Sequence, residues 1–185
     1  MDLSTLIVLA AGAFVVIALI VLYNQLVAGR NQVDNAWQQI DVQLKRRHDL
    51  IPNLVEVTRN YMQFEQETLT RVIEARNRAV SAATPAEAIA AEGALSGALG
   101  RLFALMENYP QLKSDQNVAR LMEELTTTEN KIAFARQFYN DSVMAQTNRI
   151  QSVPSNFIAG PFGFTAPPYF QVPEEERGAI KVSLR

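Results

Sequence analysis

Apolar residues are arranged along this chain in three different ways. From Leu6 to Tyr23 they are nearly continuous: LIVLAAGAFVVIALIVLY carries no charge, and no formal charge appears between Asp2 and Arg30. About 20 residues at about 1.5 Å rise cross a hydrocarbon core about 30 Å thick. The run therefore predicts one transmembrane helix, with Ser4 and Thr5 able to bond their own helix backbone at one end and Tyr23 suited to the headgroup level at the other. A cleaved signal peptide is the competing reading. It fits less well, because no basic segment precedes the run, the run exceeds the usual ~7–15 residues, and Ala11-Gly12-Ala13 falls in its middle. A retained anchor is expected.

Beyond the anchor the spacing becomes helical. Val33, Trp37, Ile40, Leu44, Ile51, Leu54 and Tyr61 alternate steps of four and three, with Arg47 and Thr58 filling the missing places. Pro52 interrupts this seam, so a kink is expected near residues 48–52. A second helix is predicted over about 65–82, with Leu69, Val72, Ile73, Ala79 and Val80 as its stripe. Thr84-Pro85-Ala86-Glu87 is a compact start signal for a third, which runs to about Asn108 with Leu95, Leu99, Leu102 and Met106 on one face. Gly93, Gly97 and Gly100 weaken that helix and suggest a close approach by another backbone; the charges of Glu92 and Arg101 argue against a membrane GxxxG motif. Tyr109-Pro110 ends it, and Ser114 can cap a fourth helix from about Asp115 to Gln151. Its seam is Val118, Leu121, Leu125, Thr128, Ile132, Ala135, Tyr139, Ser142 and Gln146.

The remainder, residues 153–185, has prolines at 154, 161, 167, 168 and 173, and is aromatic: Phe157, Phe162, Phe164, Tyr169 and Phe170. Either it is a strap over the bundle or it docks a neighbouring subunit or partner. Ile180, Val182 and Leu184 alternate like a short strand. The fold class expected is all-α: a single N-terminal transmembrane helix (1–24), an antiparallel four-helix bundle with two long helices (25–152), and an extended aromatic, proline-rich tail (153–185).

Composition narrows the function classes. The net charge of −2 provides no bulk basic field, and no nucleic-acid partner is expected. The absence of cysteine removes disulfides, zinc-thiolate sites and thiol nucleophiles. His48 is the only histidine; within KRRHDL it reads as a solvated surface group rather than a general base. Neither GxSxG, GxxxxGK[ST] nor GxGxxG occurs. Glu123, Glu124 and Glu129 lack the Glu-x-x-His of a helical di-iron site and read as a solvated or salt-bridged face, with Arg120 and Glu124 paired at four residues. No catalytic residue, metal or cofactor is expected. Charges on or beside the seams suggest instead an inter-helix network of Arg47, Glu129 and Arg136, although arginine stems can also snorkel to solvent.

Several runs together resemble one family. These are YNQLVAGRNQVDNAWQQIDVQLKRRHDLIPNLVEVTRNY after the anchor, ETLTRVIEARNRA, NYPQLKSDQNVARLMEELTTTENKIAFARQFYNDSV, and finally FIAGPFGFTAPPYF. The chain is similar to LemA proteins over nearly its whole length; Phe64 departs from the histidine expected there. The resemblance implies a single-pass membrane protein with a long helical bundle and no established enzymatic activity. Some relatives are associated with building intracellular membranes, which implies a scaffold or membrane-organising role. The function expected is a self-assembling, membrane-anchored scaffold or adaptor; the alternative is a sensor or regulatory subunit of another membrane protein, such as a protease or transporter. Membrane lipid through the N-terminal helix, further copies of the chain and an unidentified protein partner are the expected contacts. Arg30 and Lys45-Arg46-Arg47 follow the span and no Lys or Arg precedes it, which puts the bulk of the chain on the cytoplasmic side of a bacterial cell (inner) membrane. A small-residue stripe at Ser4, Ala11 and Ala18, the glycines of the third helix and the aromatic tail are the candidate contacts between copies.

Overall fold

The computed structural model describes residues 2–62 and 64–170. The expected strand at Ile180, Val182 and Leu184 lies outside the described residues. Among those described the chain is helical and contains no strand: α1 (Leu3–Arg59), α2 (Gln66–Val80), α3 (Pro85–Met106), α4 (Pro110–Ser114), α5 (Gln116–Gln151) and α6 (Asn156–Ala159).

The apolar run and the first bundle helix are one element. With no proline or glycine pair between Tyr23 and Arg30 to interrupt it, α1 continues from Leu3 to Arg59, and Pro52 lies within it rather than ending it. At its start Thr5 donates its hydroxyl to the Asp2 carbonyl at 2.6 Å. Its most apolar stretch has no residue buried against the rest of the chain. An exposed apolar surface of that length is a membrane-association segment. Helix α3 is also long and apolar enough to cross a membrane. Its face of Leu95, Leu99, Leu102 and Met106, however, is buried in a protein core.

The chain divides into two compact units, and α1 and α5 contribute to both. The first comprises 1–39 and 135–169. Here α1 and α5 run antiparallel: Gln146 donates to the Leu26 carbonyl at 3.1 Å, and further along Trp37 meets Tyr139 edge to face, with ring centroids 5.5 Å apart. Gly29 is a point of close approach. A Cβ there would meet Gln146 Oε1 at 1.8 Å, so the absence of a side chain is what lets the buried Gln146 lie against α1.

The second unit comprises 40–134 together with Phe170. Its core draws Ile51, Leu54 and Val55 from α1, Leu69, Val72, Ala75 and Ala79 from α2, the α3 face, Leu112, and Val118 and Leu125 from α5. The four-three spacing thus marks the buried face of each long helix. Polar seam residues are accommodated by bonding their own helix: Thr58 and Thr128 donate to the carbonyls of Leu54 and Glu124. Three local expectations need correction. Tyr61, expected on the α1 seam, is exposed, because α1 ends at Arg59 before reaching it. Val80 is exposed, and Ala75 takes its place on the α2 stripe, because 69, 72, 75 and 79 keep the helical period. Helix α5 is capped by Asp115 rather than Ser114: Asp115 Oδ1 accepts from the backbone N–H of Asn117 and Val118, whereas Ser114 ends the unexpected short helix α4. The α3 start is as expected. Thr84 accepts from the Glu87 N–H, and Glu87 reaches back to the Ala83 N–H.

Candidate functional site

Within the second unit, α1, α3 and α5 bring charged side chains together. Arg47 occupies a seam position and is therefore carried inward. Its Nη1 donates to Glu92 Oε2 at 3.1 Å, and its Nη2 donates to Ser96 Oγ at 2.9 Å and lies 3.2 Å from Glu129 Oε2. The second Glu92 oxygen meets His48 Nε2. Glu92 is 1% exposed, whereas the Glu129 side chain is 44% exposed, so the cluster leads from the core to the surface. The backbone carbonyl of His48 accepts from Arg76 Nε at 3.2 Å, which ties α2 to the same point.

This corrects the expectation of a solvated His48: it is buried, because Glu92 supplies the partner that burial of a polar ring requires. Glu92 is the member that sequence reasoning missed. The available signal was its position, three residues before Leu95, on the same run of threes and fours that places Leu95, Leu99 and Leu102 in the core. Arg47 and Glu129 do meet. Arg136 belongs to the first unit. Glu124 lies 3.6 Å from Arg46, a half-exposed surface pair. Pro52, one turn beyond Arg47, lies in α1 beside the buried Ile51.

Arg47, Ser96 and Glu129 also line a groove of about 270 Å³ with Leu99, Gly100, Phe103 and Leu125. The cations and anions lining it already neutralise one another, which suits structural pinning better than ligand capture. A second groove, about 350 Å³, runs over Gly93 and Gly97 with Arg71, Arg78 and Arg101 along it. Cβ atoms at Gly97 and Gly100 would meet nothing within 4 Å. Among the described residues, the close backbone approach expected of these glycines is not made at Gly97 or Gly100.

The first unit carries a second constellation. After α5 the chain turns through α6, and Gly163, at φ +70°, adopts the left-handed conformation that turns Phe164 back. The Phe164 N–H bonds the Ala159 carbonyl at 2.9 Å, and its ring is buried with Leu26, Ile158 and Ala159. Arg30 lies over that ring, 4.3 Å from its centroid. Tyr23 contacts Phe162 and Phe164 edge to face, at 5.2 and 5.8 Å. Tyr139 donates its hydroxyl to the Pro168 carbonyl at 2.9 Å; burial first, then the charge of Asp34, raises its pKa above the ordinary 10.0. The structure thus divides the tail aromatics. Phe164 and Phe170 are buried; Phe157, Phe162 and Tyr169 are exposed. Trp37 is half-buried.

A sequence model of the LemA family matches residues 36–184. Among individual relatives, magnetosome protein MamQ 2 of Paramagnetospirillum magneticum is 26% identical over 89% of this chain and 70% of its own length. Magnetosome protein MamQ of Magnetospirillum gryphiswaldense is 25% identical over 88% of this chain and 69% of its own. Protein LemA of Metamycoplasma hominis is 26% identical over 86% and 74%.

Proposed function

The chain belongs to the LemA family, and from that premise we propose that it is a membrane-anchored, non-catalytic scaffold or adaptor that assembles with copies of itself. The observation that carries this reading is α1: a single helix whose first part is exposed and apolar and whose later residues are buried in both folded units. Such an element holds a protein domain to a bilayer without a flexible linker. The relatives named as magnetosome proteins agree with a place in membrane organisation. The buried Arg47–Glu92–His48 cluster supports a structural role, since each charged group is already engaged.

The span is single-pass in a bacterial inner membrane, with the units on the cytoplasmic side. Arg30 supports that orientation. All copies then leave the membrane in the same direction and meet side by side. Gentle detergent extraction followed by native mass measurement tests the proposal. One discrete homo-oligomer is the expected result; monomers bound to a different protein would replace it with the regulatory-subunit reading.

A further inference from the structure

We infer that the segment from Val153 to Phe164 is a second membrane contact, a collar that lies in the polar interface of the bilayer beside the point where α1 enters it. The inference rests on the membrane-anchor reading of α1 and adds to it a surface that the anchor alone does not predict.

Four observations converge on it. First, the collar is built directly onto the end of the apolar run: Phe162 and Phe164 contact Tyr23, and Ile158 and Ala159 share a buried cluster with Leu26, flanked by Leu22 and Val27. Second, its outward side is mostly apolar, with Asn156 as its exposed polar residue. Val153 is 74%, Phe157 72% and Phe162 62% exposed, on a turn whose other large side chains, Ile158 and Phe164, are buried. Third, the sequence carries no formal charge between Arg149 and Glu174, although charged residues are common in the helices before it. A water-facing turn needs no such purge, whereas a segment in contact with acyl chains does. Fourth, the charges that flank the collar are cations: Arg30 stacks on Phe164 and Arg149 lies beside Gly29.

Arg30 lies seven residues beyond Tyr23, about 10 Å along a helix. The polar layer on each side of a bilayer is about 5–8 Å deep, half the difference between a core of ~30 Å and a total of ~40–45 Å. With Tyr23 at the edge of the hydrocarbon, Phe162 lies near the same level, and Arg30, stacked on Phe164, lies at the outer edge of that layer. Aromatic rings at the boundary with cations just above them is the arrangement that an interface favours. A second copy of the chain could also cover exposed phenylalanines. The continuity with α1 and the absence of charge favour lipid.

The test uses the full chain, whose lack of cysteine makes single labelling sites clean. Four variants, Phe14→Cys in the apolar run, Phe157→Cys, Phe162→Cys and the 96% exposed Phe64→Cys, carry a nitroxide in vesicles of phosphatidylethanolamine and phosphatidylglycerol. Power saturation then compares access of oxygen, which partitions into lipid, with access of a water-soluble nickel chelate. The expected oxygen-to-nickel ratio is highest at 14 and lowest at 64. At 157 and 162 it is intermediate and several-fold above that at 64. Phe157→Trp in a Trp37→Phe chain repeats the measurement without a label, its fluorescence falling in vesicles with brominated acyl chains. If sites 157 and 162 match site 64 while site 14 remains deep, the collar is refuted and the anchor stands. If site 14 also matches site 64, both fall. Spin–spin broadening at 162 that vanishes on dilution with unlabelled protein, without lipid access, would assign the face to a second copy and overturn the inference.

Discussion

Arg47 and Glu92, 45 residues apart in sequence, meet at 3.1 Å with side chains 5% and 1% exposed. Removing a charge from water is costly, and a buried pair recovers that cost only when its remaining hydrogen-bonding positions are filled. Here Ser96 and Glu129 take the other side of Arg47, and His48 takes the other oxygen of Glu92.

Removing one member leaves the other uncompensated. Glu92→Ala is expected to lower the unfolding free energy by ~3–5 kcal/mol. Replacing both, as Arg47→Met with Glu92→Leu, should recover part of that loss, because the two buried charges are gone while His48 and Ser96 lose their partners. Urea denaturation of the detergent-solubilised chain, followed by circular dichroism, reads both. A double variant as unstable as the single one would mean that the pair does more than neutralise itself.

Trp37 pairs with Tyr139 but keeps one side open to solvent. Full burial would set the cost of Trp37→Ala at ~3–5 kcal/mol; half-burial lowers the expected loss to about 2 kcal/mol, including the aromatic pair. Tyr139→Phe keeps the ring and loses only its bond to the Pro168 carbonyl, for about 1 kcal/mol. Equal losses for the two would contradict the edge-to-face arrangement.

Asp115 accepts two backbone N–H bonds at the start of α5, which hold its carboxyl below the usual 3.8; the Val118 bond is the larger cause, then that of Asn117, and the Tyr61 hydroxyl adds a further bond. A depressed folded pKa contributes stability that is present above the unfolded value and lost as pH falls through the folded one. Wild type should therefore lose thermal stability below about pH 4 more steeply than Asp115→Asn, whose amide oxygen keeps the cap without titrating. Parallel melting-temperature profiles from pH 6 to 2 would remove the cap from the acid response.

Glycines at 29 and 97 are expected to respond with opposite signs. At Gly97 a methyl group meets open space, so Gly97→Ala should stabilise α3 by ~0.5–1 kcal/mol. At Gly29 the same change drives the buried Gln146 from its bond to Leu26, and the lost bond outweighs the helix gain by about 1 kcal/mol. Thermal unfolding of the two variants decides it. If Gly97→Ala instead lowers stability and disperses the oligomer, the α3 groove is a contact between copies.

Much of the helical framework could be read directly from spacing. Ile40, Leu44, Ile51 and Leu54 on α1, and Val118, Leu125, Ile132 and Tyr139 on α5, are buried where alternating threes and fours place them. Burial of a polar residue does not follow that simple rule, because it depends on a partner distant in sequence. His48 looks solvated beside Arg46 and Asp49, and becomes a core residue only once Glu92 is opposite it. The tail was harder still. Spacing cannot tell Phe164 from Phe162, two residues away; the left-handed turn at Gly163 separates the buried ring from the exposed one.

The bond from Gln146 to Leu26 spans 120 residues. At synthesis rates of ~5–20 residues per second, about 6–24 seconds pass between the appearance of the two residues. Throughout that interval the α1 face around Leu26 and Gly29 has emerged, while the α5 residues that will cover it do not yet exist. The apolar run ahead of it can enter a bilayer at once, since it needs no later partner. Its neighbour around Leu26 and Gly29 is covered only once α5 has been made, so the two parts of one helix, α1, differ in when their contacts can form.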